Sequence, residues 1–324
     1  MASNPFKALI KPRLPAAAIG LSGEGAGVVS LDRRRNLFAV RRAGYVPLPE
    51  GLVHPLFDDQ NIADAGELTA TLAELVTSVG LQKRRRWSVA LPEAATRTAI
   101  VSLESAPGSR SEVEEMLRWK IERNFGAPLE ELRVSRRRLN ADGQERARYL
   151  VTAVRLSVLA EYEEIFAALE WRAGLILPRH MGEAWWLIRE GNDERGTADS
   201  LLVSGHPEGF TAVLMRGTQT LLVRSIVCEA EDRADELYRF LLFYRDRFAA
   251  SATEEASAPV GNIERLLVAG SGFDEHEASG LIEETLAARP RLLDAADVRL
   301  ALPSGDLDFH YLAAPAGLAA LAWS

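Results

Sequence analysis

The 324-residue chain holds one cysteine, Cys228, which excludes an internal disulfide framework and a cysteine-rich zinc site. That thiol falls in an apolar stretch, where it is expected to be inert. The five histidines are scattered and form no HExxH pair, so no metal is expected. No GxSxG turn and no Ser/His/Asp constellation can be assembled. Long apolar runs are missing too. The most apolar, Ala313–Trp323, has 11 residues, against the ~20 that a spanning helix needs. The opening Met1–Lys7 shows no basic start followed by an apolar core, so no signal peptide is expected and a cytoplasmic location is the default.

What is present suits a folded chain. It is 47% hydrophobic and 26% charged, and its length predicts about two domains. Charge is uneven. Residues 1–150 carry 23 Lys and Arg against 18 Asp and Glu, a net +5, while the remainder carries 15 against 28, a net −13. Three basic runs lie in the first half: Arg33–Arg35, Lys83–Arg86 and Arg136–Arg138. They read as solvated turns, or as a face that meets anionic lipid or an acidic partner. No aromatic residues interleave them, so nucleic acid is not expected.

Turn and periodicity signals divide the chain. Ala16–Gly23, Val28–Leu31 and Leu37–Val40 read as strands of an antiparallel meander. Leu68, Leu72, Leu75, Val76 and Val79 mark a helix ended by Gly80. Trp87–Leu91 and Thr98–Leu103 read as strands. Ser111 with Glu114 has the spacing of a capping box, and Val113, Met116, Leu117, Ile121 and Phe125 form the stripe of the helix that follows. Arg133–Leu139 and Ala147–Val154 read as strands around the turn Asn140–Gly143, before a helix carrying Val158, Tyr162, Ile165, Phe166 and Leu169. Residues 84 to about 175 thus read as a compact α+β unit. A second meander follows at Ser200–Ser204, Phe210–Met215 and Gln219–Val227. Next come a helix with Leu237, Phe240, Leu241, Tyr244 and Phe248 inward, a small polar loop at Ser251–Gly261, the strand Arg265–Ala269 and a helix capped by Asp274. Two halves with the same opening suggest a duplicated α/β fold with a cleft between them.

Several segments carry a family resemblance: Asn61–Leu91, with a helix leading into a strand that ends Ala-Leu before Pro92; Ser111–Leu132; Val151–Leu175; Glu236–Tyr244; the Arg265–Gly272 strand and turn; and Gly317-Leu318-Ala319. In this order and spacing the chain resembles PilM, the actin-like protein of type IV pilus assembly, and more distantly FtsA and the cytoplasmic part of GspL. The resemblance implies an actin-like fold of two related α/β halves with an inserted α+β subdomain in the first. Its divisions would be residues 1–83, the inserted 84–175, and 176–324 with its end returning to the first half. It also implies a cytoplasmic scaffold, peripheral to the inner membrane, that binds the N-terminal peptide of a PilN-like inner-membrane protein. That peptide would lie in a groove between the strand near Trp87–Leu91 and the Ser111–Phe125 helix, with Arg86, Trp87, Met116 and Lys120 as its candidate walls and Arg84 and Arg85 nearby. Self-association is left open. The alternatives are an active actin-like ATPase and a type II secretion module resembling GspL.

Actin-like ATPases grip phosphates with two glycine turns, hold Mg²⁺ through an Asp in each, and pack a third glycine turn on the adenosine. Here the first turn has Ser22, Gly23 and Gly25, with Ser22 where the Asp belongs and Glu24 displaced by two residues. The second has Ser204 and Gly205, again with Ser for Asp, followed by His206. The third survives as Gly270, Ser271 and Gly272. The resemblance therefore implies lost Mg-ATP hydrolysis, with ATP or ADP held weakly through glycine backbone or not at all. His206 reads as a turn residue. Trp171, Trp185 and Trp186 read as packing, and Arg224-Ser225-Ile226 as a strand end.

Overall fold

The structure is a computed structural model that describes residues 13–35, 37–103, 109–140, 146–190, 199–249, 262–303 and 307–324. The first-half sheet contains β1 (Ala17–Leu21), β2 (Gly25–Arg34), β3 (Leu37–Pro47), β4 (Arg86–Leu91), β8 (Arg172–Pro178) and β14 (Leu300–Ala301), in the order β14-β3-β2-β1-β4-β8. β1–β2–β3 is an antiparallel meander; β4, β8 and β14 join in parallel. The second-half sheet repeats this plan. β9 (Asp199–His206), β10 (Gly209–Arg216) and β11 (Gln219–Val227) form the meander, and β12 (Ile263–Gly270) and β13 (Arg291–Leu292) add in parallel, in the order β11-β10-β9-β12-β13. β1 and β9 are buried along their whole length, as strands covered on both faces must be.

Helices cover each sheet. α1 (Ala65–Ser78) is capped by Asp64, which accepts from the Glu67 N–H, and ends before Gly80 at φ +74°. It packs beside α3 (Leu156–Ala168) on the outer face of the first sheet, around Trp87, Leu68, Leu72, Tyr162 and Phe166. α5 (Arg233–Tyr244) and α6 (Glu275–Leu286, capped by Asp274) cover the outer face of the second. Between the sheets lie α4 (Arg179–Glu190) and α7 (Phe309–Ala320), which share one core with Ala18, Val29, Leu202 and Leu267. The apolar run of the sequence is thus a buried helix wedged between the halves. No helix of the described residues is long and apolar enough to cross a membrane.

A separate three-stranded sheet, β5-β7-β6, is made by β5 (Arg97–Ser102), β7 (Arg148–Arg155) and β6 (Leu132–Leu139), with α2 (Arg110–Phe125) on one face. The expected block 84–175 is therefore not one unit by strand pairing. β4 is claimed by β1, and α3 by the face of the first sheet, because their apolar residues complete that core. Ser111 does not start α2. Ser109 does, accepting from the Glu112 N–H, since the same Ser-x-x-Glu spacing occurs two residues earlier. Gly126 at φ +70° ends it. Most of the expected turn after Asn140, and the loop 251–261, lie outside the described residues.

Candidate functional site

The first glycine turn joins β1 to β2 and closes on itself. The Ser22 hydroxyl donates to the Gly25 carbonyl at 3.1 Å and accepts the Gly25 N–H at 3.0 Å, while the Ser22 N–H donates to the same carbonyl at 2.9 Å. The Tyr45 ring from β3 lies directly over Gly25, and it stacks on Tyr311 with centroids 4.4 Å apart. Burial, Tyr311 and the Glu24 charge push the Tyr45 phenol up, with Arg179 opposing them. Glu24 itself is exposed, so it does not turn its carboxylate inward.

The second and third turns meet backbone to backbone. Gly205, near the end of β9, packs on Gly270 and Ser271 at the end of β12, and the Ser271 N–H donates to the Gly205 carbonyl at 3.2 Å. A Cβ at Gly205 would lie 1.9 Å from the Ser271 oxygen, so only glycine fits. Gly272 has φ +79°, and the space where its Cβ would stand holds the Arg233 guanidinium. That guanidinium donates to the His206 and Pro207 carbonyls at 2.8 and 3.0 Å and is buried. A cation of the chain thus fills the space over the third turn and bonds it to the end of the second.

A buried polar cluster joins the halves nearby. Glu93, in the 3₁₀ turn after β4, accepts from the Thr211 hydroxyl of β10 at 2.8 Å and contacts His180 Nδ1 of α4 at 2.6 Å; Thr211 in turn reaches the Ser225 hydroxyl at 2.9 Å. Burial works to raise the Glu93 carboxyl, but His180, the nearby His206 and the Thr211 hydroxyl outweigh it and leave it at about 2. Burial likewise works against a charged His180, and the Glu93 and Glu183 carboxylates overcome it, so its pKa is raised. Arg179 and Glu183 of α4 add a buried pair at 3.4 Å. Arg179 Nε, His180 Nε2, Glu183 Oε2, Ser204 Oγ and His206 Nε2 are buried in this seam with no hydrogen-bond partner among the described residues. His206 also binds Glu208 at 3.0 Å, an interaction that lowers the Glu208 carboxyl against its burial.

These donors do not fit a Mg-nucleotide. Ser22 is spent on its own turn, Ser204 lies sealed under the seam, and a guanidinium fills the third turn. Among the described residues no group of three or more His, Cys, Asp or Glu could hold a metal ion.

A different depression reaches the surface between the three-stranded sheet and the first half. It has a volume of about 280 Å³ and is lined by Leu91, Thr96, Thr152, Val154, Glu163 and Pro178, among others. Val151 and Ala153 pack with Leu117 and Phe125 of α2, so Thr152 and Val154 turn to the opposite face. The expected wall residues are consequently dispersed. Trp87 is fully buried against Trp171, Arg86 reaches out to the Arg13 carbonyl, and Met116 and Lys120 ride on α2 behind the sheet. Only the Leu91 end of the expected strand lines the depression. Trp186 packs at the Phe38 and Phe309 rings in the core between the halves, and Cys228 sits just past β11, half-buried.

Sequence reading did not find Glu93, His180, Thr211 or Tyr45. Arg233 left one signal: it is a cation in a first helical turn that also holds Asp235 and Glu236, a position the helix dipole disfavours without a specific acceptor.

No protein-family profile and no curated protein sequence matches the chain. Solved structures do. A PilM–PilN type IV pilus biogenesis complex aligns with TM-score 0.75 at 19% identity, over 97% of this chain and 100% of the other. The fold is actin-like. A protein of actin-like ATPase fold and unknown function from Bacteroides thetaiotaomicron aligns at TM-score 0.45 and 13% identity, over 96% and 99% of the two chains. The cytoplasmic domain of EpsL, an inner-membrane component of the Vibrio cholerae type II secretion system, aligns at 0.44 and 12%, over 84% and 95%. At 19% identity, the likeness to the PilM complex speaks for architecture, and the two looser ones carry no argument.

Proposed function

We propose that the protein is a PilM-like cytoplasmic scaffold of type IV pilus assembly. In this reading it is a pseudo-ATPase that holds a short cytoplasmic peptide of a PilN-like inner-membrane protein. The sheet 97–155 with α2 is read as the inserted subdomain, and the depression beside Leu91, Thr152 and Pro178 as the peptide seat. One observation carries this reading: the Arg233 guanidinium occupies the slot over Gly272 and satisfies the carbonyls of the second turn. A cleft plugged this way keeps the two-half architecture and gives up phosphate chemistry. The groove's apolar walls, with Thr152, Ser135 and Glu163 at hand, suit an extended peptide that buries small apolar side chains and pairs a basic one.

Two titrations test it. Thermal shift with millimolar ATP, with and without Mg²⁺, should show no stabilisation, because a ligand stabilises the native state only in proportion to its binding. Calorimetry with the synthetic N-terminal peptide of the PilN-like protein from the same cell should give saturable binding that Thr152→Trp abolishes. A Mg²⁺-dependent ATP shift would replace the pseudo-ATPase with an active one; absence of peptide binding would remove the scaffold role.

A further inference from the structure

The strand order puts all but one of the first-half basic runs at one end of one sheet. β1 pairs Ala17 with Ser30, β2 pairs Ser30 with Arg42, β4 pairs Ser88 with Ala18, and β8 pairs Arg172 with Arg86. The hairpin tip Arg33–Arg35, the strand residues Arg41 and Arg42, the loop Lys83–Arg86 and Arg172 therefore share the end opposite the glycine turn, and all are exposed. Within this end, Ser30, Arg41, Arg42, Lys83 and Arg84 line a depression of about 800 Å³ that has no acidic residue in its wall.

Two of the acids beside it are already paired. Asp32 pairs with Arg41 at 3.2 Å and Glu170 with Arg85 at 3.6 Å, while Asp294 and Asp297, beyond β3, accept each other's backbone N–H. Among the described residues, Arg42, Lys83 and Arg84 have no ion-pair partner, so three unneutralised cations face one hollow. The Arg33 guanidinium is instead held by the Trp323 and Arg35 carbonyls at 3.2 and 3.4 Å, which fixes the tip rather than neutralising it. On the same tip Leu37 is 37% exposed, an apolar side chain set among cations.

We infer that this end of the first-half sheet docks on a bilayer of anionic phospholipids, with Arg42, Lys83 and Arg84 taking the headgroup phosphates and Leu37 entering the interface. Three turns bearing cations at one level present a broad face, which matches a plane of phosphates better than a single extended chain. An apolar side chain at the rim suits insertion among the headgroups of a bilayer. Arginine predominates, and its planar fork pairs with phosphate oxygens in bidentate fashion. The inference does not rest on the peptide reading. The peptide seat lies past the other end of β4, so the two surfaces can fail separately.

The test is co-flotation of the full chain with vesicles of phosphatidylglycerol in phosphatidylcholine, against phosphatidylcholine alone. Binding should occur only with the anionic lipid and weaken with salt. The variant Arg42→Glu/Lys83→Glu/Arg84→Glu should lose at least about tenfold in partitioning, and the matching Gln variant somewhat less. Arg137→Glu/Arg138→Glu on β6 should keep wild-type binding. Retained thermal stability and peptide affinity would show that the variants are folded. The inference is overturned by equal binding to neutral vesicles, by equal loss in the β6 variant, or by no binding at all, which would leave an acidic protein as the partner of this face. It is also overturned if inorganic phosphate displaces the protein far better than chloride at equal ionic strength, since the hollow would then be a site for a free anion.

Discussion

Two regions where parts of this molecule meet are finished in opposite ways. Around the glycine turns and along the seam between the halves, side chains fill the space: Tyr45 covers Gly25, Arg233 covers Gly272, and Glu93 with His180 and Thr211 ties the halves together. The groove between the first half and the three-stranded sheet is left unfilled. The guanidinium over the third turn binds carbonyls that no phosphate would satisfy. The proposed peptide seat depends on the groove staying open.

This contrast can be broken most forcefully at the seam. Glu93→Ala strands a buried His180 and should cost about 3–5 kcal/mol in urea unfolding at pH 6, since removing one member of a buried pair leaves the other uncompensated. The carboxyl at about 2 stabilises above its ordinary 4.5 and loses that contribution as pH falls towards 2. The raised His180 stabilises fully below 6.5 and loses its contribution as pH rises through its raised value. The cost should therefore be greatest between about pH 4.5 and 6.5 and shrink in more alkaline buffer. A cost that grows with pH would mean that the pair is not ionic.

Next in size is the helix crossing that holds the seam. A Cβ on Gly317 of α7 would lie 1.8 Å from the Gly182 oxygen of α4, so Gly317→Ala should cost about 2–3 kcal/mol by overpacking backbone against backbone, read by thermal melting. Arg233→Ala should cost about 2 kcal/mol, the scale of lost charge-assisted bonds to two carbonyls. It should speed amide exchange at residues 204–209 and 270–273 without creating ATP binding. At the groove the ordering reverses. Ser135→Trp, on an exposed position, should change stability by less than about 0.5 kcal/mol yet weaken peptide binding at least tenfold. If it destabilised the fold instead, the groove would be part of the core.

Much of the fold could be read from the sequence where local signals and burial agree. The stripe Leu68-Leu72-Leu75-Val76, the Asp274 cap and the meander around Pro207-Glu208 all appear as read. Elements shaped by long-range packing were missed. Arg172–Pro178 holds Arg, Gly and Pro, yet forms a strand because β4 offers it an edge. α7 contains Pro315 and Gly317, which local propensity treats as breaks, but its small residues are what let it lie against Gly20 and Gly182. The seam was missed for the same reason. Glu93 follows Pro92 with no local signal of burial, and its partners stand 87 and 118 positions away. What Arg233 binds was likewise illegible, because its acceptors, the His206 and Pro207 carbonyls, lie 27 and 26 positions away.

The burial of α7 also sets an order of assembly. This helix lies against α4, β1, β2, β4 and β12, so each sheet presents an apolar inner face until it arrives. During vectorial synthesis both sheets are translated before it, and neither can be sealed early. Nascent chains must carry two uncovered surfaces side by side, with a stretch of small residues as the late closure. Such a chain gains from a slow, chaperoned finish, and a stop a few codons short of α7 would leave two half-built layers whose nearest remedy is each other or a neighbouring chain.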